Sequence, residues 1–471
     1  MSPPLAPAHP SVLLLAAASL SALAGCGARA GGDLLAPSAG VVCPEAPLPG
    51  RRAADGTPVP DEVARAAARQ QPALVDALAA RDEGRVASAV CAVRAALGPW
   101  QGVAEAVSER RATVADPVDP AVLLPRYLTA LRAQILGREP WVLVQGSRSG
   151  EALSEPLRSA CELVSAYAQI LPWAGQQRGE FAAALTQGAE YLVAVQGADG
   201  VFPFPDLTDD AERLVTSCRQ AGESEGACRA RLPRPLQLAV QAKEKWEAAG
   251  RPPGVLVDGW FLTADDGGLQ FDTGTCGVAL VQAAGALAEP RYLQAARRAA
   301  QWASAQPVVA NWNYNAFSVE LQASLAATFE RAGEPDEAAR WRDAAQTRAR
   351  LGVLPGALAD GRWYDPHNAR LTYHHILLRA LARLALVVDD PWVSVTLDAA
   401  FDRSVAEINA EGAAAWADGI GALVAARQTG RDPGAALRRL LHAAAPGGQP
   451  ETVQLAWYLA ATLPTSSAAA R

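Results

Sequence analysis

Gly333-Glu334-Pro335-Asp336 stands between two stretches whose apolar residues recur at three and four spacing, the period of an amphipathic helix. Glu334 precedes a proline that can open the second helix, where its missing N–H costs nothing. The arrangement repeats at Ala288-Glu289-Pro290-Arg291, Asp389-Asp390-Pro391-Trp392 and Gly430-Arg431-Asp432-Pro433-Gly434, at intervals of ~40–55 residues. A period of that size predicts helical hairpins following one another along the chain.

The connections that alternate with these turns differ in kind. Asp258-Gly259-Trp260 through Asp272, Asn311-Trp312-Asn313-Tyr314-Asn315 and Gly361-Arg362-Trp363-Tyr364-Asp365-Pro366-His367-Asn368 are loaded with polar and aromatic residues. If each hairpin goes up and returns, the bland turns fall at one end and the rich connections at the other, where a rigid scaffold would display binding groups. Helices near 157–172 with 178–197, and 208–219 with 235–249, bring the hairpins to six, enough to close a ring. Strand patterns are hard to find, so the expected class is all-α. Asp61 to Leu97 and Pro120 to Leu136 read as a short helical N-terminal segment over 61–140, ahead of a hairpin domain over 150–465.

The chain resembles the (α/α)6 toroid superfamily, the six-hairpin glycosidases and related toroid polysaccharide lyases. The likeness is carried by Phe271-Asp272-Thr273-Gly274, by Asn313-Tyr314-Asn315, by Trp363-Tyr364-Asp365-Pro366-His367-Asn368 with Tyr373-His374-His375, and by Tyr191-Leu192 to Gln196 followed by Asp199-Gly200. It spans residues 150 to 465 and implies a carbohydrate substrate, a polymer or an oligosaccharide. Trp260, Asn311, Trp312, Asn313, Trp363, Asp365, His367, Asn368 and Arg370 are the expected substrate-binding set. Asp272, Tyr314, Tyr373 and His374 are the expected catalytic residues, and no cofactor is implied.

Two chemistries remain open. A glycosidase needs one protonated and one ionised carboxyl about the bond, and Asp258, Asp265, Asp266, Asp272 and Asp365 are the candidates at the rich end. Asp272 also reads as a helix N-cap, and Asp365 before Pro366 as turn chemistry. A uronide lyase needs a base beside the substrate carboxylate and a group that neutralises that carboxylate. The resemblance gives the base to Tyr373 or His374, the acid to Tyr314, and neutralisation to Asn313 with Arg370. His374 shares an apolar face with Leu377, Leu378 and Leu381, which is also what a core histidine does. His367, His374 and Asp365 could be drawn together as zinc ligands, but no second-shell pattern supports this and no metal is expected. Phe202-Pro203-Phe204-Pro205-Asp206 reads as an extended segment, either a sugar-stacking lip or a packed connection.

Ser11 to Ala24 is an apolar run ending in Leu23-Ala24-Gly25-Cys26, which predicts a lipoprotein signal peptide over 1–25 and lipid on Cys26. The preceding residues carry no Lys or Arg, a departure from the usual signal. Residues 26–60, rich in Gly, Ala and Pro, read as a flexible tether. The expected location is the bacterial cell envelope, with the membrane engaged through lipid. Setting Cys26 aside leaves six cysteines, Cys43, Cys91, Cys161, Cys218, Cys228 and Cys276, either buried thiols or disulfides in an oxidising compartment. Cys218 with Cys228, closing a short polar loop, is the pair most readily assigned. A formal charge of −7 and a pI near 5.4 disfavour nucleic acid as a partner. Twelve Trp against eight Phe and eight Tyr suit sugar stacking, and equally suit a helical core. Gly222-Glu223-Ser224-Glu225-Gly226 matches a nucleophile elbow, but no strand precedes it. The alternative to a toroid enzyme is a non-catalytic glycan binder or a protein-binding helical repeat; Leu351 to Arg370 is too long for the short turns of a tetratricopeptide array.

Overall fold

The computed structural model describes residues 43, 59–104, 156–202, 207–232, 267–411 and 416–444, which are helical throughout except for connections and one isolated antiparallel bridge between Ala357 and Trp363. Cys26, Asp258, Trp260, Asp265, Asp266 and the expected helices at 120–136 and 235–249 lie outside them.

Three N-terminal helices, α1 (Asp61–Ala68), α2 (Gln71–Ala79) and α3 (Glu83–Leu97), are followed by a hairpin of α4 (Pro156–Ile170) and α5 (Arg178–Val195). The short pair α6 (Leu207–Gln220) and α7 (Glu225–Ala230) comes next. Four more hairpins complete the described chain: α8 (Gly267–Leu287) with α9 (Pro290–Ala305), α10 (Trp312–Arg331) with α11 (Pro335–Gly352), α12 (Leu371–Ala385) with α13 (Pro391–Glu411), and α14 (Trp416–Gln428) with α15 (Gly434–Ala444).

The first helices of these hairpins form a continuous row, α4 on α8, α8 on α10, α10 on α12 and α12 on α14. Sequence composition explains which helix is inside. In α10 buried side chains run all the way round, from Trp312, Ala316 and Val319 to Glu320, Leu321, Ala323 and Leu325, as expected of a helix with neighbours on every side. In α9 the buried residues are Tyr292, Ala295, Ala296, Ala299, Ala300 and Ala303, a single stripe facing the row.

The bland turns are built as their sequences suggest. Ala288, Gly333 and Gly430 adopt positive φ, and the next N–H, of Glu289, Glu334 or Arg431, reaches back to the carbonyl of Ala284, Phe329 or Ala426. That is the Schellman closure of a helix end. Acidic residues then cap the next helix: Glu289 accepts from the Arg291 N–H, Asp390 from Trp392 and Asp432 from Gly434. At 288–291 and 430–434 the turn therefore closes one helix and opens the next with residues adjacent in sequence.

The helix at 235–249, expected to complete the hairpin that begins at 208–219, lies outside the described residues. Helix α6 occupies the predicted span, and it pairs with α7 through the Cys218–Cys228 disulfide and a small core of its own, Ala211, Val215, Cys228 and Leu232. Ser224 of the elbow-like sequence accepts from the Ala227 N–H and caps α7. Helix α4 packs directly on α8, and Cys161–Cys276 joins the two. Cys43–Cys91 fastens residue 43 to α3. Three disulfides point to an oxidising location, extracellular or in the cell envelope. Among the described residues no helix is long and apolar enough to cross a membrane.

Candidate functional site

The N-terminal ends of α10 and α12 bring the polar connections together. Asn311 to Asn315, expected as a loop, is instead the N-cap and first turn of α10. The long connection from α11 to α12 folds back on it. Gly361 makes this close fit possible: its φ is +86°, and a Cβ there would lie 2.1 Å from the Ala399 carbonyl oxygen of α13. From the other side the N-terminal segment covers the connection, α3 packing on residues 354–356 and the Gly102 N–H donating to the Tyr364 carbonyl at 2.9 Å.

Four of the predicted site residues form one hydrogen-bonded network. The Asn313 backbone N–H donates to Asn368 Oδ1 at 3.0 Å, and Asn313 Nδ2 donates to Asn368 Oδ1 at 2.9 Å and Asn311 Oδ1 at 2.8 Å. Asn368 Nδ2 donates to Asp365 Oδ1 at 3.0 Å and to Asn311 Oδ1 at 3.2 Å, and the Asn368 N–H reaches the same Asp365 oxygen at 2.8 Å. All four are buried. Asp365 thus performs the turn chemistry its position suggested, and both Asn313 amide hydrogens are engaged by Asn311 and Asn368. Neighbouring Asn315 is a clamp: its amide accepts from the Val309 N–H and donates to the carbonyls of Val309 and Gly352.

A second group lies nearer to solvent. The His367 ring stacks on Tyr373 with centroids 4.1 Å apart and planes 28° from parallel, and the Arg370 guanidinium sits 4.6 Å from the Tyr373 centroid. His367 is buried, whereas Arg370, Tyr373 and Tyr314 are each partly exposed. A cation over a phenol ring is an ordinary attractive contact, and here it places a phenol and a guanidinium side by side at the surface.

His374 faces away from this group. Its Nε2 lies 3.1 Å from the Ala400 carbonyl oxygen and 2.9 Å from Ser404 Oγ, and a carbonyl only accepts, so Nε2 carries the proton. Trp363 packs edge-on against the ring at 5.6 Å, its indole N–H donating to the Val353 carbonyl. Burial pushes the His374 pKa down to about 4; Glu407 pulls the other way, while the positive charges of Arg362 and Arg403 act with burial. His375 is wholly buried against Gly419 and has no hydrogen-bond partner on either nitrogen among the described residues; burial and the adjacent His374 hold it at about 3.

Asp272 lies in the second turn of α8, which begins at Gly267, so it is not the N-cap that its motif suggested. It is wholly buried beside Thr273, whose hydroxyl accepts from the Phe202 N–H at 3.1 Å. Phe202 is buried too, as a packed connection rather than an exposed lip; Pro203 to Asp206 lie outside the described residues. Trp312 and Trp363 are fully buried, Trp312 edge-on to Tyr364 at 5.9 Å. No family model matches the chain, and no curated protein matches it in sequence.

Two ionic anchors around this end had no signal in the sequence beyond the charges themselves. Glu407 of α13 is bound by both Arg362 and Arg403; burial works to raise its pKa, but the two arginines prevail and hold it at about 2. Arg348 of α11 is buried and its hydrogen bonds run to neutral acceptors. It donates to the carbonyls of Ala303, Gln306 and Pro307 and to Gln270 Oε1 and Asn315 Oδ1, and burial, with Arg81 nearby, lowers its pKa to about 10. No cluster of three or more His, Cys, Asp or Glu with metal-binding geometry occurs among the described residues.

Proposed function

We propose that the chain is an exported lipoprotein, lipidated at Cys26, whose hairpin domain is an (α/α)6 toroid that binds an acidic polysaccharide at the Tyr314–Arg370–Tyr373 edge and cleaves it by uronide elimination. The single observation that carries this reading is the stack of His367, Tyr373 and Arg370 at the N-terminal end of α12. Elimination needs a base beside a carboxylate-bearing carbon and a cation to stabilise the charge that develops on that carboxylate. Arg370 and Tyr373 offer this pair in one partly exposed place.

The same geometry redistributes the expected roles. Tyr373 is favoured over His374 as base, because His374 is pinned to Ala400 and Ser404 inside the core. Neutralisation falls to Arg370, because the Asn313 amide donors are already engaged. Asn311, Asn368 and Asp365 then act as supports that fix the connection carrying His367 and Arg370. Among the described carboxylates Asp272 and Asp365 are both buried, whereas a hydrolytic pair must face the scissile bond; Asp258, Asp265 and Asp266, which lie outside the described residues, are the carboxylates a hydrolase would have to use.

A panel of acidic and neutral polysaccharides tests this, read for new reducing ends and for the ultraviolet absorbance of unsaturated uronic products. Absorbance that falls about a hundredfold or more in Tyr373→Phe, with helicity and thermal midpoint retained, supports the reading. New reducing ends without absorbance would replace it with hydrolysis. Binding without turnover favours the second reading, a non-catalytic glycan binder, for which the depth of the asparagine network is the supporting observation.

A further inference from the structure

At the opposite end of the helix row, the C-terminal parts of α4, α8, α10, α12 and α14 surround a cavity of about 500 Å³. This is the end of the bland turns, which the sequence assigned no function. The volume falls within the roughly 300–1,000 Å³ of ordinary small-molecule sites. Its polar lining includes Gln169, Gln282, Thr328, Arg331, Arg383 and Gln428 beside apolar residues, and among the described residues no carboxylate lines it. That sign of charge stands against a chain with a formal charge of −7.

Arginines at helix C-termini ordinarily offset the partial negative charge of the last carbonyls. Arg178 at the cavity wall does so, donating to the Leu171 carbonyl at 3.0 Å. Arg383 and Arg331 do not: Arg383 donates to Gln428 Oε1 and Arg331 to Thr328 Oγ1 at 3.2 Å, both side-chain acceptors within the lining. Glu320, the acid whose charge acts on Arg383, is bonded to Arg379 at 2.9 Å. Burial lowers the Arg383 pKa from its ordinary value, Glu320 opposes this, and the like charges of Arg379 and Arg331 add to it. The cavity therefore holds surplus positive charge with hydrogen-bonding amides and a hydroxyl arranged around it, the combination that suits an oxyanion on a hydroxyl-rich skeleton.

We infer that this cavity is a second binding site, for a small hydroxyl-rich molecule carrying one carboxylate or phosphate. The oxyanion meets Arg383 and Arg331, and the hydroxyls meet Gln169, Gln282 and Gln428. The site is separate from the edge at Tyr373 and does not depend on the reaction proposed there.

The test is calorimetric titration of the full chain with glucuronate, glucose 6-phosphate, inorganic phosphate and neutral glucose. Saturable binding of glucuronate or of glucose 6-phosphate, weakening with salt and exceeding that of glucose, is expected, and the tighter of the two identifies which oxyanion is preferred. Arg383→Gln should weaken it about tenfold or more, the scale of one charge-assisted hydrogen bond. Arg331 is exposed, so Arg331→Gln leaves the fold intact and gives the decisive comparison even if Arg383→Gln misfolds. Arg370→Gln, at the other end, should leave this binding unchanged. The inference is overturned if neither anion binds, if glucose binds as well, if Arg331→Gln has no effect, or if Arg370→Gln removes the binding.

Discussion

Acid should loosen this protein well before its carboxylates protonate, because two buried histidines are held neutral. His374 and His375 sit on successive positions of α12 with ring centroids 5.8 Å apart, and their pKa values fall to about 4 and about 3. Both lie below the 6.5 of a histidine in the unfolded chain. Above pH 6.5 neither state binds a proton, so stability is flat. Below it the unfolded chain takes up protons that the native state refuses, and stability falls until the native pKa is reached. Each refused proton costs about 1.4 kcal/mol per pH unit. For two rings the ceiling between pH 6.5 and 5 is about 4 kcal/mol, and about 2 kcal/mol is expected after allowance for relaxation around the charged rings. Glu407 and Asp390 have depressed values, so their contributions are lost only as pH falls below the ordinary carboxylate range, outside this window. The assay is urea unfolding at pH 7.5, 6.5, 5.5 and 5, all ~25 °C values on one scale, on the wild type and on His375→Leu. His375 makes no hydrogen bond among the described residues, so its replacement by an apolar side chain should be neutral or stabilising at pH 7.5 and should remove about half of the acid slope. A wild-type stability that does not change between pH 7.5 and 5, or a slope that His375→Leu leaves intact, refutes the reasoning.

Gly361→Ala forces a Cβ to within 2.1 Å of the Ala399 carbonyl at φ +86°; a loss of about 2–4 kcal/mol is expected by denaturant unfolding, together with loss of whatever binding the Tyr373 edge supports. Arg348→Met leaves the carbonyls of Ala303, Gln306 and Pro307 without their charged donor, which should cost about 3–5 kcal/mol and increase amide exchange in the 303–311 connection. Replacing Cys161 and Cys276 together by Ser opens a crosslink spanning 115 residues; about 4 kcal/mol of stability should be lost, measured as a drop in thermal midpoint under non-reducing conditions.

Much of the architecture was legible in local sequence because helical hairpins are closed by neighbours in the chain. At Ala288, Glu289 and Pro290 the positive-φ residue, the acidic cap and the proline stand side by side, so their order predicts the turn without knowledge of the rest. The pairs 267–305, 312–352, 371–411 and 416–444 could be read for that reason. The grouping of Asn311, Asn313, Asp365 and Asn368 was likewise foreseeable as a place.

What the chain alone could not decide was which of those polar residues would face solvent. Tyr373 and His374 are adjacent in sequence, and only the packing of α13 against α12 turns His374 into the core to meet Ala400 and Ser404 while Tyr373 stays at the edge with Arg370. Arg348 meets Gln270 from 78 residues away and Glu407 meets Arg362 from 45 residues away, so no spacing rule points to those contacts. The cavity at the turn end is made by five helix termini from separate hairpins, none of whose residues is unusual where it stands. Hairpins and caps are local interactions and are written in order along the sequence; burial, charge compensation and cavities come from elements that meet only after the row of helices has assembled.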